Sequence, residues 1–80
     1  MRLPRELSGT ELVSRLQRLG YARSRQSGSH IRLTSQLRGE HHVTVPNHDA
    51  LRVGTLSAIL AAVAAHHGLS RDELLHTLFD

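Results

Sequence analysis

The chain contains no cysteine, no lysine and no tryptophan, and it has a single tyrosine and a single phenylalanine. Without cysteine there can be no disulfide framework, no thiolate nucleophile and no cysteine-ligated zinc site. The scarcity of aromatic rings argues against a platform on which single-stranded bases stack. The most apolar stretch, residues 56–65, is too short to span a bilayer, and the first residues lack the apolar run of a signal peptide. We therefore expect a cytoplasmic protein with no membrane contact.

The length of 80 residues limits the chain to one domain with one modest core, which we place at residues 1–80. A chain of this size cannot hold separate cofactor-binding and substrate-binding domains. Leucine, valine, isoleucine and alanine supply almost all of the apolar volume, so the core is expected to be aliphatic.

Charge is distributed unevenly along the chain. Residues 1–38 hold eight arginines and two acidic residues, a net charge of +6, whereas residues 39–80 hold two arginines and five acidic residues, a net charge of −3. A basic half of this kind suits a polyanion such as RNA. A solvated surface that uses arginine in place of lysine is the alternative, and charge alone leaves both interpretations open.

Three helices are predicted. Ser8 and Glu11 form one capping-box pattern and Ser70 and Glu73 form another, each opening a helix. The first helix then runs from about Gly9 to Leu19, with apolar residues at helical spacing. A second, more apolar helix follows a loop at 47–53, starts near Gly54-Thr55 and ends at Gly68. The helix after Ser70 is short.

Three strands are predicted between the first two helices. They span Tyr21–Gln26, His30–Thr34 and His41–Pro46, with turns at Ser27-Gly28 and at 36–40. The last two strands alternate with period two, and strands joined by a short loop pair in antiparallel fashion. Pro46 ends the third strand because proline lacks the ladder donor.

These elements predict an α+β fold in the order α-β-β-β-α plus a short C-terminal helix, with the helices packed on one face of a three-stranded antiparallel sheet. Alternation turns Ile31, Leu33, Val43 and Val45 toward the helices. The opposite face, called the open face below, is unusually polar and cationic. It comprises His30, Arg32, Thr34, His42 and Thr44.

His30 follows a glycine turn at the start of a strand, with Arg25 and Arg32 nearby. An imidazole placed in this way can take the proton of an RNA 2′-hydroxyl and start attack on the adjacent phosphorus. Guanidinium groups can stabilise the charge that grows on the phosphoryl oxygens. The alternative is a surface histidine on an exposed strand, and spacing alone leaves that alternative open.

The other histidines give weaker signals. The pairs His41-His42 and His66-His67 lack the i, i+4 spacing of a helical zinc site. A metal site built from His30, His42 and His48 is conceivable, but no carboxylate stands at diagnostic spacing. We expect the remaining helix histidines to be solvated. These are His66, His67 and His76.

Four segments, in order, resemble HicA toxins. The first resembles the family's opening helix, the second its Arg-Gln-x-Gly-Ser-His signature, the third its last strand and exit, and the fourth the start of its second helix. They are Gly9-Thr10-Glu11-Leu12 with Gly20-Tyr21, Arg25-Gln26-Ser27-Gly28-Ser29-His30, His42-Val43-Thr44-Val45-Pro46-Asn47-His48, and Gly54-Thr55-Leu56. The likeness covers about Gly9 to Leu69.

The resemblance implies a fold like that of double-stranded-RNA-binding domains. It implies a toxin that cleaves mRNA and is masked by a HicB-type antitoxin. It assigns catalysis to His30 and a supporting turn to Gly28 and Ser29. It also implies that no metal ion and no organic cofactor takes part.

We further predict six RNA-contacting side chains. They are Arg23, Arg25, Gln26, Arg32, His42 and His48. Ser27 stands where the family often has lysine or arginine, so Arg23 or Arg32 would have to supply the missing charge. The helix after Ser70 extends beyond the recognised segments, and completing the core or contacting a partner are both open roles for it. A non-catalytic RNA-binding module and a protein-interaction domain remain the competing functions.

Overall fold

A computed structural model describes residues 3–4 and 6–80 of the chain. Its elements follow the predicted order. They are α1 (Gly9–Leu16) with a 3₁₀ turn (Gln17–Leu19), β1 (Ala22–Ser27), β2 (His30–Ser35), β3 (His41–Pro46), α2 (Val53–His67) and α3 (Arg71–Phe79). Met1, Arg2 and Arg5 belong to the start of the chain and to its basic half, and they lie outside the described residues.

Both predicted capping boxes are present. The backbone N–H of Glu11 donates to Ser8 Oγ at 3.1 Å and the N–H of Ser8 donates to Glu11 Oε1 at 3.2 Å. The same reciprocal pair joins Ser70 and Glu73. Each box satisfies two backbone donors that the helix cannot pair internally, so it fixes the residue at which the helix begins.

The three strands form one antiparallel sheet in the order β1-β2-β3. The predicted inward residues are buried against α1 and α2: Ile31, Leu33 and Val45 are fully buried and Val43 nearly so. The α+β prediction, with helices on one face of the sheet, is confirmed. Every residue of β1 is exposed, so this edge strand is held by its ladder to β2 and not by the core.

Four boundaries differ from the prediction by one residue. β1 begins at Ala22 and not at Tyr21, and β2 ends at Ser35 and not at Thr34. Ser27 pairs with His30 and ends β1, so the turn consists of Gly28 and Ser29. α2 begins at Val53, one residue before the predicted Gly54. None of these differences changes which predicted residues face the core.

The C-terminal helix α3 completes the core. Leu74, Leu75 and Leu78 are buried, and Arg18 of the 3₁₀ turn donates from Nη1 to the carbonyl oxygens of Thr77 and Asp80 at 3.2 and 2.8 Å. A cation at the C-terminal end of a helix pairs with carbonyls that lack intrahelical partners. Arg18, one of the arginines in the basic half, therefore stabilises the fold by holding the end of α3.

A cluster of rings joins the ends of the sheet and of α2. The buried Tyr21 hydroxyl contacts His41 Nδ1 at 2.7 Å and His67 Nε2 at 3.0 Å. His41 also stacks on His66 at 4.3 Å between ring centroids, and His66 Nε2 donates to the carbonyls of the β2–β3 turn. The expectation that His67 is solvated was wrong. The expectation rested on the polarity of histidine, but His67 lies four residues after Val63 and seven after Leu60, on the stripe of α2 that faces the core.

This cluster makes stability depend on pH. Burial lowers the pKa of His41 and His67 below 6.5, so the unfolded chain binds protons that the folded chain excludes. The contribution is complete above pH 6.5 and is lost as pH falls through the folded-state pKa values. We expect the urea midpoint to fall between pH 7.5 and 5, and to fall less in His67→Gln, which cannot be protonated. An equal fall in His67→Gln and the unmodified protein would contradict this role.

Among residues 3–4 and 6–80, no single helix has the length and apolar character needed to cross a membrane. α2 and α3 reach those thresholds together, but they are bent by 102° relative to each other.

Candidate nucleic-acid interface

The open face is formed by alternate residues of β2 and β3 that lie side by side. In the register, His30 is opposite Pro46, Arg32 is opposite Thr44 and Thr34 is opposite His42. Directly opposed residues project from the same side of a sheet. His30, Arg32, His42 and Thr44 are exposed, so the side chains predicted to face away from the helices do so.

A β-bulge brings one arginine of β1 onto this face. Arg23 is opposite Leu33, but the register then shifts, and Arg25 is opposite Arg32. Ser24 is the extra residue between them. Arg25 and Ser27 therefore join the open face, with Ser27 opposite His30.

The same bulge separates the predicted RNA contacts into two groups. Arg23 and Gln26 are opposite the inward residues Leu33 and Ile31, so they project from the helix side of the sheet edge. Arg23 Nη1 also donates to Gln26 Oε1 at 3.3 Å. The structure thus brings Arg25, Arg32 and His42 together with His30 on one face, and it does not place Arg23 or Gln26 there.

The His30 imidazole is open to solvent. The residue is exposed, and within the described part of the chain its ring makes no hydrogen bond, ion pair or ring contact. Its backbone is fixed on both sides, because Ser27 pairs with it in β1 and Pro46 pairs with it in β3. A side chain with a fixed origin and a free ring is accessible to a ligand that approaches the open face.

The turn before His30 is braced from a second segment. Asn47 N donates to the carbonyl of Ser29 at 2.6 Å, and Gly9 N donates to the carbonyl of His48 at 2.9 Å. The loop that carries the exposed His48 therefore lies beside the Gly28–Ser29 turn. The start of α1 is anchored against the same loop.

Arg25 and Arg32 are like charges in directly opposed positions, an arrangement that destabilises a sheet when nothing neutralises it. Neither guanidinium forms a salt bridge with a carboxylate in the described part of the chain. A phosphate group between them would relieve the repulsion and accept charge-assisted hydrogen bonds from both. The pair is therefore suited to bind a phosphodiester next to His30.

His42 lies farther along the open face in a polar network of its own. Its Nδ1 contacts Thr34 Oγ1 at 2.7 Å and its Nε2 contacts Glu40 Oε2 at 3.0 Å. Hydrogen bonds from Gln36 and then His42 hold the pKa of Glu40 below its usual value. His42 is opposite Thr34, four residues from His30 on β2, which corresponds to about 13 Å along the strand. The two imidazoles therefore cannot act on the same phosphate.

The described residues contain no group of three or more histidine, aspartate or glutamate side chains that could hold a metal ion. The possible site from His30, His42 and His48 is not assembled, since the first two are four strand positions apart.

Sequence reasoning missed Ser24 and Glu40. No local pattern marks a bulge at Ser24, because β1 has no apolar alternation from which a change of face could be inferred. Glu40 lies in a turn, and only the sheet register brings it next to His42.

Gly28 is needed for its backbone conformation and not for space. Its φ is +56°, and a Cβ built on it would meet nothing within 4 Å. A positive φ at the first of two turn residues is the type II′ hairpin pattern. We expect Gly28→Val to reduce stability by about 1 to 2 kcal/mol, and Gly28→Asn to lose less because asparagine tolerates this region. Urea unfolding of the two variants measures the difference. Equal losses would show that the glycine is needed for another reason.

The chain was compared with curated proteins, with solved structures and with models of protein families. No curated protein and no solved structure matches the chain. A family model described as the HicA toxin of bacterial toxin–antitoxin matches residues 9–64, from the start of α1 to the last turn of α2. This match includes all of the sheet and both loops next to His30, and it covers more than half of the chain. The chain therefore belongs to the HicA toxin family of bacterial toxin–antitoxin systems.

Proposed function

We propose that this toxin is an endoribonuclease that cleaves mRNA on the open face, with His30 as the catalytic acid/base. The observation that carries the proposal is the exposed imidazole, which has no partner among residues 3–4 and 6–80, on the same face as two directly opposed guanidinium groups. Surface histidines are common, but an exposed histidine next to two arginines that form no salt bridge in the described part of the chain is suited to phosphodiester chemistry.

The reaction follows from these groups. His30 accepts the 2′-hydroxyl proton, and the 2′-oxygen forms a bond to the adjacent phosphorus. The bond from phosphorus to the 5′-oxygen breaks, and that oxygen takes a proton from water or from a protonated side chain. The products are a 2′,3′-cyclic phosphate and a 5′-hydroxyl, and no water is consumed in this step.

Arg25 and Arg32 have a separate role in the proposal. Their guanidinium groups donate to the non-bridging phosphoryl oxygens, where negative charge increases as the new bond forms. His48 is carried by the loop that adjoins the turn before His30, which makes it the better-placed histidine for protonating the leaving oxygen. His42 is about 13 Å from His30 along β2, so it would contact RNA about two nucleotides away.

The partner in this proposal is a HicB-type antitoxin that covers the open face. A face with arginines on two neighbouring strands attracts an acidic partner, and a protein bound there would exclude RNA from His30. A protein-interaction surface and a nuclease site are therefore compatible on this face.

The test compares two oligonucleotides of one sequence, an oligoribonucleotide and its fully 2′-O-methylated counterpart. We expect the purified toxin to bind both, to cleave only the first, and to leave cyclic phosphate ends. A chelator should not change the rate, because no step requires a metal ion. Cleavage of the methylated strand would contradict the role of the 2′-hydroxyl. Binding of both strands without cleavage would instead favour a non-catalytic RNA-binding module.

A further inference from the structure

The bulge at Ser24 determines which side of the sheet Arg25 occupies. Without the extra residue, pairing would continue from Arg23↔Leu33 to Ser24 opposite Arg32 and Arg25 opposite Ile31. A one-residue slip moves a side chain to the other face, so Arg25 would then point to the helix side. The open face would be left with Arg32 as its arginine near His30.

The alternative hairpin is stereochemically ordinary. In the regular register residue 26 would pair with residue 30, and the two strands would be joined by a three-residue loop at 27–29. Two-residue and three-residue hairpin loops are both common. The bulged hairpin with the Gly28–Ser29 turn therefore needs a specific stabilising interaction, and the side chain of Ser24 supplies one.

Ser24 is held by hydrogen bonds at the bulge itself. Its Oγ donates to the carbonyl oxygen of Arg32 at 3.3 Å and accepts from Thr34 Oγ1 at 2.9 Å. The first bond ties the extra residue to the backbone of the residue that Arg25 faces. The second connects the bulge to the middle of the open face.

The hydrogen bonds continue across β3. Because the single Thr34 hydroxyl proton is donated to Ser24, the contact between Thr34 Oγ1 and His42 Nδ1 requires the ring N–H to donate. His42 Nε2 also donates to Glu40, so this series of donors is that of a ring with a proton on both nitrogens, an imidazolium paired with the Glu40 carboxylate. Glu40 accepts a further hydrogen bond from Gln36 at 3.3 Å. The Glu40 carboxylate therefore orients the ring of His42, the ring orients the hydroxyl of Thr34, and that hydroxyl orients Ser24 at the bulge.

We propose that this polar chain is a positioning device that maintains the bulge and thereby keeps Arg25 beside Arg32 as one phosphate-binding pair. Its members are Ser24, Thr34, His42 and Glu40. The inference deepens the proposed function, because it explains how the phosphate-binding pair on the open face is built. It assigns these residues an action through Arg25 and not a contact with the reacting atoms.

Thr34→Val tests the device with little change in shape, since valine replaces the hydroxyl by a methyl group. We expect the cross-strand nuclear Overhauser contacts of the bulged register, Gln26–Ile31 and Ser27–His30, to be replaced by Arg25–Ile31 and Gln26–His30. Thr34→Ser restores a hydroxyl and should restore the register. His42→Val removes the imidazole from the series of hydrogen bonds at an exposed position, and it provides a second test of the register if Thr34→Val folds poorly. The matched control is Thr44→Val, which lies on the same face opposite Arg32 and has no described hydrogen bond from its side chain.

The functional test measures RNA binding and not RNA cleavage. In a His30→Ala background, Thr34→Val should weaken oligoribonucleotide binding about tenfold, and it should lower the salt slope by about 0.7, the value for one phosphate contact on a single strand. Arg25→Ala should weaken binding and lower the salt slope by the same amounts. The two substitutions together should weaken binding no more than either alone.

An unchanged Arg25–Arg32 register in both Thr34→Val and His42→Val would overturn the proposal, as would effects on binding that add to those of Arg25→Ala. A changed register in a protein that binds no RNA in any form would support the device and contradict the proposed function. The experiment can therefore refute the positioning device and the proposed function separately.

Discussion

Replacing His30 with alanine is expected to slow RNA cleavage by about 10²- to 10⁴-fold, the usual contribution of a positioned acid/base group. The imidazole is exposed and has no intramolecular partner in the described part of the chain, so its removal should change the free energy of unfolding by less than about 0.5 kcal/mol. RNA affinity should remain within a few-fold, since the arginine pair is intact. Cleavage rate, urea unfolding and binding to a 2′-O-methylated strand measure these three quantities.

The matched control is His76→Ala. His76 is also an exposed histidine, but it lies on α3, where it pairs with Asp80, and it has no place on the open face. We expect His76→Ala to cleave RNA at the unmodified rate. Equal cleavage by the His30→Ala and unmodified proteins would remove His30 from the reaction, and equal toxicity of the two in cells that lack the antitoxin would do so independently.

Gly9→Ala is expected to give the largest loss of stability. A Cβ at Gly9 would lie 2.0 Å from the carbonyl oxygen of Pro46 and 3.1 Å from Cα of Asn47. Both neighbours are backbone atoms, so no side-chain rotation can relieve the overlap. Relief requires α1 to move away from β3, which would also break the hydrogen bond from Gly9 N to His48 O. We expect a loss of about 3 kcal/mol and a fall in Tm of more than about 10 °C.

Gly54→Ala is the control for this substitution, because a Cβ there meets nothing within 4 Å and Gly54 lies in the first turn of α2. Alanine should stabilise that helix by about 0.5 to 1 kcal/mol. The two glycine substitutions are therefore expected to shift Tm in opposite directions. A similar small shift in both would mean that α1 does not approach β3 as closely as the structure places it.

The local elements could be predicted because each is determined by residues close together in sequence. Ser8 with Glu11 and Ser70 with Glu73 set two helix starts, and the alternation of Ile31 with Leu33 set the inward face of β2. The placement of His30 on an open face followed directly from that alternation. For the same reason Arg32 and His42 were predicted on the correct side.

The remaining features depend on contacts between residues distant in sequence. Tyr21 meets His67 across 46 positions. The helical spacing from Val63 places His67 on the buried side of α2, but the tyrosine hydroxyl that contacts its ring is distant in sequence. The bulge at Ser24 lies in a strand without apolar alternation, so Arg23 and Arg25 were indistinguishable as RNA contacts. The close approach at Gly9 becomes visible only after α1 is packed on β3.

The most direct test of the account is a nuclear magnetic resonance titration of the His30→Ala protein with a 2′-O-methylated oligoribonucleotide. We predict that the largest amide shifts fall on the hairpin and the open face, at Arg25, Arg32, Thr44 and the Gly28–Ser29 turn. Shifts confined to α2 and α3, with the open face unchanged, would contradict it.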